Sequence, residues 1–220
     1  MKNLSLTTLL IIITLGFSSC TQDDSTFLEE TTAEDMLKSF NLNKSRSGDY
    51  SLDYQLGSGV TADNVLDTKT NTNNIYLYST DEGASRSLNE NLYLQAGQLK
   101  VTFNDTEKDK KYTITVFDDD IKTSRESDSE YLDSYGISGN EDGSYDLDFR
   151  VKEGVAVDFI YNDDESVYEV HLRNDDSATV SDFTQTYSKE DGVALKIDFV
   201  NHSSTGREAV TRKPKTIVSD

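Results

Sequence analysis

Hydrophobic and polar residues alternate along most of the chain after residue 48. In the segment 50–56 (YSLDYQL), tyrosine and leucine alternate with serine, aspartate and glutamine. A period of two places the apolar side chains on one face of a β-strand and the polar ones on the other. The same period predicts further strands in the runs 75–78, 92–94, 99–103, 112–116, 145–151, 155–161, 168–172 and 193–199.

Turn signals separate these runs. Glu153-Gly154 and Asp191-Gly192 stand where a tight turn needs a residue with positive φ, and we expect a hairpin through Ala96-Gly97. Short strands separated by turns are typical of antiparallel sandwiches and barrels. We therefore predict an all-β antiparallel β-sandwich, or barrel-like, domain over residues 48–220. The similarity of 152–159 to 189–199 is short, and we attribute it to convergence of two hairpin entries rather than to a repeat.

A different period precedes the strands. Thr31 and Glu34 have the spacing of a capping box, and Met36 and Phe40 lie four residues apart on one apolar stripe. We expect a short N-terminal helix and a linker within residues 31–47, with a flexible stalk as the alternative. Residues 20–30 are polar and acidic and are interpreted as a tether.

The connection from residue 118 to residue 143 interrupts the strand rhythm and is rich in aspartate and glutamate. Structureless connections longer than about 12–15 residues are uncommon in compact domains and are often functional. This connection is therefore the first place where a site is expected.

Composition narrows the function classes. The chain has 220 residues with 21 Lys plus Arg against 41 Asp plus Glu, a formal net charge of −20. Phosphate would be repelled by such a surface, so we expect no nucleic-acid partner. A hydrophobic content of 35% excludes a polytopic membrane protein, and one cysteine excludes a disulfide scaffold. The content is also close to that of disordered chains, but the alternation places the scarce apolar residues where a core needs them.

The N-terminus has the pattern of a signal peptide. Lys2 precedes an apolar run that ends at Phe17, which is too short and too often interrupted by Ser and Thr to span a membrane. Residues 17–20, Phe-Ser-Ser-Cys, resemble the lipobox of bacterial lipoproteins, although the family prefers an aliphatic residue where Phe17 stands. The resemblance implies removal of residues 1–19 and lipidation of Cys20, with palmitate-type chains anchoring the protein in the outer membrane. The alternative is an ordinary signal peptide with an incidental cysteine.

The residues after Cys20 refine this location. Thr21-Gln22-Asp23-Asp24 resembles the surface-export signal of lipoproteins in gliding, polysaccharide-digesting Gram-negative bacteria. The resemblance implies exposure at the cell surface. A solvated linker is the competing interpretation.

Acidic clusters near predicted strand ends make calcium the first metal to consider. Asp118, Asp119 and Asp120 form one cluster, and the pairs 163–164 and 175–176 form two more. Carboxylate oxygens are the ligands of Ca²⁺. However, the EF-hand spacing is absent, and aspartate is a favoured turn residue, so we favour solvated acidic turns over a metal site. We expect no other cofactor.

Histidine is the second candidate for chemistry. Glu169, His171 and Arg173 share one face of the strand predicted around 167–173, where a general base with an orienting carboxylate is conceivable. A charged, solvated sheet face explains the trio as well, and we favour that interpretation. His202, the second histidine of the chain, falls in a predicted loop.

Aromatic residues and charge suggest binding functions. Tyr76, Tyr78 and Tyr93 would offer a glycan platform if they faced outward, but cross-strand pairing explains them better, and the chain has no Trp. The acidic charge also suits a cationic protein partner. We therefore expect a lipid-anchored envelope lipoprotein that is a non-enzymatic binding or accessory module, in surface assembly or nutrient capture, with other envelope proteins or glycan as partners. The alternative is a glycan-active lyase or hydrolase on a β-sandwich.

Overall fold

The computed structural model describes residues 36–81, 83–118, 131–202 and 210–220, with side chains from residue 214 onward in the last range. These residues belong to one compact unit, Thr31–Asp220. The expectations for the signal peptide, the tether and Cys20 fall outside the described residues. So do Asp119 and Asp120.

The described residues form β-strands and no helix, which confirms the all-β prediction. The fourteen strands are β1 Leu37–Lys44, β2 Tyr50–Leu56, β3 Val60–Asp67, β4 Thr72–Ser79, β5 Arg86–Leu92, β6 Gln98–Asp105, β7 Lys110–Phe117, β8 Leu132–Gly139, β9 Ser144–Val151, β10 Val155–Asn162, β11 Val167–Asn174, β12 Ser181–Ser188, β13 Leu195–His202 and β14 Val210–Ser219. β8 occupies the second half of the connection that we expected to lack structure.

The prediction of a helix through Phe40 is wrong, because Leu37–Lys44 is strand β1. Phe40 and Leu42 are two residues apart and both are buried, so the period of the core positions here is two. The asparagines between and after them are poor helix formers. β1 hydrogen-bonds to β2 on one side and to β8 on the other, and this pairing in the middle of a sheet overrides the helical spacing.

The strands form two sheets. The six-stranded sheet has the order β12-β9-β8-β1-β2-β5, and the eight-stranded sheet has the order β10-β11-β13-β14-β7-β6-β4-β3. All neighbours are antiparallel except β4–β6 and β11–β13, so the eight-stranded sheet is mixed rather than purely antiparallel. Within the described residues neither order closes on itself.

Aromatic side chains join the two sheets into a sandwich-like body. The ring of Phe149 on β9 lies 5.2 Å from the ring of Phe199 on β13, and Phe40 lies 6.1 Å from Phe103 on β6. Both pairs belong to one continuous core cluster that draws on both sheets. Burial of apolar area of this kind is the main favourable term in folding.

The expected hairpin through Ala96-Gly97 is wrong. β5 lies in the six-stranded sheet and β6 in the eight-stranded one, and only an isolated bridge between Gln95 and Gln98 marks the turn. The turn geometry itself is present, since Ala96 and Gly97 have φ of 51° and 77°. The chain crosses between the two sheets at this turn, because Leu92 enters the core from the six-stranded sheet and Leu99 enters it from the eight-stranded sheet.

The strand order reveals an internal repeat that the sequence analysis missed. If each strand of β1–β7 is exchanged for the strand seven places later in the chain, and the reverse, the strand order of each sheet is the same read from either end. β3 and β10 share one burial pattern, and Asn71 and Ser166 in the turns that follow them share a φ of 51°. A constant shift maps Gly48, Tyr50, Leu52, Asp53, Gly59, Val60 and Leu77 onto Gly143, Tyr145, Leu147, Asp148, Gly154, Val155 and Leu172.

We call β1–β7 the first unit and β8–β14 the second unit. The two meet through antiparallel pairs, β1 with β8 and β7 with β14, as expected for units related by an approximate two-fold axis. The short similarity between 152–159 and 189–199 lies on β10 and β13, which hold different places in the order. It is therefore not this repeat.

Candidate functional site

Two strands of the second unit bring the only histidines of the chain together. Val170 and Leu172 on β11 are buried in the core, so His171 between them points to the outer face of the eight-stranded sheet. β13 runs parallel to β11, with Val200 opposite His171 and His202 two residues further along. The Nδ1 atom of His171 lies 2.8 Å from Nε2 of His202.

Glu169 fixes the proton positions of this pair. Its Oε2 lies 2.7 Å from Nε2 of His171, and its Oε1 accepts a hydrogen bond of 3.0 Å from the Asn162 amide. A carboxylate only accepts, so Nε2 of His171 carries the hydrogen of this bond, and in the neutral form of the ring Nδ1 presents a lone pair. Nε2 of His202 then donates to that lone pair. We call Asn162, Glu169, His171 and His202 the histidine cluster.

The surroundings of His202 disfavour the protonated form of its ring. Burial, the neighbouring His171 and the charge of Arg173, in that order, hold the pKa of His202 below its ordinary value. The hydroxyl of Tyr131 donates to the backbone oxygen of His202. The side chain of Glu169 is only 6% exposed and that of His171 18%, so the carboxyl group of Glu169 lies in a largely desolvated position.

Of the predicted trio, the structure brings Glu169 and His171 together and directs Arg173 elsewhere. Arg173 forms an ion pair with Asp158 on the adjacent edge strand β10. The partner that sequence reasoning missed is His202. Extending the alternation of β13 beyond Phe199 places residue 202 on the outer face, but only the parallel pairing of β11 with β13 puts it beside His171.

Asp118, the described member of the 118–120 cluster, is part of a buried ion pair. It follows β7 and accepts from Lys44 Nζ at 2.7 Å and from the Tyr50 hydroxyl at 2.5 Å. Its side chain is 7% exposed. Tyr135 adds a hydroxyl 2.9 Å from that of Tyr50. The ammonium group of Lys44 therefore balances the negative charge of Asp118, which the calcium hypothesis expected Ca²⁺ to balance.

The other acidic pairs occupy exposed turns. Asp175 accepts from the backbone and hydroxyl of Ser177, and these bonds hold its pKa below the ordinary value. Asp163 and Asp164 lie in the exposed turn between β10 and β11. Across the part of the chain that the structure describes, no group of three or more His, Cys, Asp or Glu side chains is arranged to hold a metal ion.

The three tyrosines proposed as a glycan platform do not share a face. Tyr76 and Tyr78 lie on the outer side of β4, because Ile75 and Leu77 between them are buried. Tyr93 follows β5 of the other sheet and is 76% exposed.

A cavity of about 370 Å³ lies open on the outer face of the six-stranded sheet, and we call it the polar depression. Asn89 at its edge donates a 2.5 Å hydrogen bond to Asp53. Its lining combines outward hydroxyl, amide and carboxylate groups with core residues beneath them: Ser39, Phe40, Asn41, Asp53, Tyr54, Gln55, Ser87, Leu88, Asn89, Ser138, Gly139 and Asn140. Such a surface offers both donors and acceptors of hydrogen bonds.

Comparisons with protein-family models, with curated proteins and with solved structures find no match to this chain. In the described ranges, no helix is both long and apolar enough to cross a bilayer.

Proposed function

We propose that this chain is a lipid-anchored envelope lipoprotein that works as a non-enzymatic binding or accessory module in surface assembly or nutrient capture. The residue pattern around Cys20 supports the anchor. The observation that carries the binding role is the polar depression.

The chemistry of the polar depression favours a ligand rich in hydroxyl groups. Its volume of about 370 Å³ falls within the range of small-molecule pockets, about 300–1,000 Å³. Ser39, Asn41 and Gln55 present short polar groups that both donate and accept, while Asp53 accepts only. A saccharide unit matches this mixture, so we propose glycan as the ligand class.

A matched pair of substitutions tests this role. Asn89 on β5 lines the polar depression, and Thr184 is its counterpart on β12 in the second unit. We expect Asn89→Leu to weaken binding of oligosaccharides at least tenfold by isothermal titration or array binding. Thr184→Leu should leave it unchanged. Equal affinities for both variants, or no saturable glycan binding by the wild-type chain, would reject the proposal.

The anchor is tested separately. We expect the wild-type chain to incorporate labelled palmitate and to sediment with the outer membrane, and Cys20→Ala to lose both properties. An unmodified Cys20 thiol found by mass spectrometry would contradict the proposed anchor and leave the binding test unaffected.

One observation favours a second candidate, a glycan-active lyase or hydrolase. The 2.7 Å contact between Glu169 and His171 has the geometry of a base with its orienting carboxylate. Under this alternative, the wild-type chain would release new reducing or unsaturated ends from a polysaccharide, and His171→Gln would abolish the release. Binding without any turnover supports the non-enzymatic proposal.

A further inference from the structure

We propose that His171 and His202 form a binding site for a divalent transition-metal ion, with Glu169 as the carboxylate that orients the first ligand from behind. This site lies on the opposite sheet from the polar depression and is independent of the proposed glycan binding.

The donor atoms already converge. Nδ1 of His171 and Nε2 of His202 face each other at 2.8 Å across two adjacent parallel strands. An ion about 2.0–2.1 Å from each nitrogen in tetrahedral geometry needs the two nitrogens about 3.3 Å apart. A side-chain adjustment of about half an ångström therefore admits the ion where a hydrogen bond now lies.

Glu169 completes the arrangement that metal-bound histidine uses. A ligating imidazole donates its other N–H to a carboxylate, which fixes the tautomer and increases the basicity of the ligating nitrogen. Glu169 accepts that hydrogen from Nε2 of His171, and Asn162 in turn holds Glu169. This two-step support is what distinguishes the histidine cluster from two histidines that merely lie close together.

Proton balance is satisfied without a co-reactant. When the ion binds, Nε2 of His202 gives its proton to solvent and Nδ1 takes one up, so the ring changes tautomer and keeps its charge. The proton on Nε2 of His171 stays hydrogen-bonded to Glu169, and Nδ1 of His171 binds the ion.

The ligand set predicts which ions bind. Imidazole nitrogen suits copper, nickel and zinc, whereas calcium and magnesium require oxygen ligands. The described residues offer no third side chain of the usual ligand types at this place. We therefore expect Cu²⁺ to bind more tightly than Ni²⁺ or Zn²⁺, following the general order of divalent affinity, and Ca²⁺ not to bind.

Titration of the full-length chain tests the site. We expect one Zn²⁺ per chain by isothermal titration, with the affinity reduced at least tenfold in His171→Gln and in His202→Gln. Glu169→Gln keeps an accepting oxygen but loses the charge, so its affinity should fall less than in the histidine variants. Tyr76→Gln, at the counterpart of His171 in the first unit, is the control that should bind as the wild type does.

A measurement on the unaltered chain guards against variants that fail to fold. The electron paramagnetic resonance spectrum of one equivalent of Cu²⁺ should show hyperfine coupling to two imidazole nitrogens, and one in each single histidine variant. Absence of saturable binding, or a nitrogen signal that His171→Gln leaves unchanged, overturns the proposal.

Discussion

The two seven-stranded units share one core and differ on their outer faces. Leu77 and Leu172 occupy equivalent buried places, yet the neighbouring outward position holds Tyr76 in the first unit and His171 in the second. The counterparts of Glu169 and His202 are Asn74 and Thr106, and Thr106 only closes a hydrogen bond to the Leu77 carbonyl. The comparison teaches that the two units share their buried packing positions, whereas only the second unit carries the histidine cluster.

A second difference lies at the ends of β7 and β14. In the first unit Asp118 and Lys44 are both nearly sealed from solvent, with side chains 7% and 11% exposed. In the second unit Asp220 pairs with Lys189 at 2.5 Å, but Asp220 is 53% exposed. Gly139 stands where Lys44 would have its counterpart, and the ring of Phe40 fills the space.

The largest effect is expected from breaking the sealed pair. Lys44→Met leaves the Asp118 carboxylate buried without its cation, and such a loss costs about 3–5 kcal/mol. Lys189→Met should cost about 0–1 kcal/mol, because water solvates the exposed Asp220. Urea denaturation of both variants measures the difference. Equal losses would mean that Asp118 and Asp220 are equivalent in solution.

The next effect comes from filling the space at Gly139. A Cβ atom added there would lie 2.1 Å from Cε1 of Phe40, so Gly139→Ala overpacks the core and should cost about 1–3 kcal/mol. Phe40→Leu shortens the obstructing ring. We expect the double variant to be more stable than the sum of the two single losses predicts, as a denaturation cycle would show. Strict additivity would contradict the contact.

A smaller effect follows from Tyr187, whose counterpart in the first unit is Leu92. Burial, and then the charge of Tyr168, raises the pKa of Tyr187 to about 12. In the unfolded chain this tyrosine ionises near pH 10, so its contribution to stability is complete below pH 10 and is lost as the pH rises toward 12.

Tyr187→Leu therefore should reduce the loss of stability between about pH 10 and pH 12, by about 2 kcal/mol at most. Denaturation at both pH values measures the change. Tyr93→Leu is the control variant, since Tyr93 is largely exposed.

The smallest effect concerns the ion pair of Arg150 with Asp182, 3.2 Å apart on the outer face of the six-stranded sheet. Arg150→Gln restores the residue type of its counterpart, Gln55. Because Arg150 and Asp182 are exposed and the second contact of Arg150, to Asp133, is long at 3.9 Å, the change should cost about 0–1 kcal/mol and vanish at high salt. A loss that persists in 1 M salt would show that Arg150 contributes through packing instead.

Local periodicity predicted the strands whose inner residues are large and apolar, such as β2, β9 and β11. It missed the edge strands β3 and β12, which expose half of their residues, and it also missed β8 and β14, which lie inside the sheets. It also missed the repeat, since identity between the units is concentrated at buried positions and turn glycines.

The candidate site was predictable only in part, for a physical reason. Alternation shows which face a residue takes, so Glu169 and His171 were correctly placed together. It does not show which strands become neighbours. The contact of His171 with His202 depends on β12 leaving for the other sheet and on β13 returning beside β11, a long-range arrangement with no local signal.

The strand order leaves the backbones of β3 and β10 at the two ends of the eight-stranded sheet. Unpaired edges of this kind can recruit strands from other chains and start aggregates. Asp63 and Asp67 place negative charge along the border formed by β3, whereas Asp158 on β10 is paired with Arg173. Two copies approaching through their β3 edges would therefore bring like charges together, which disfavours strand pairing between copies.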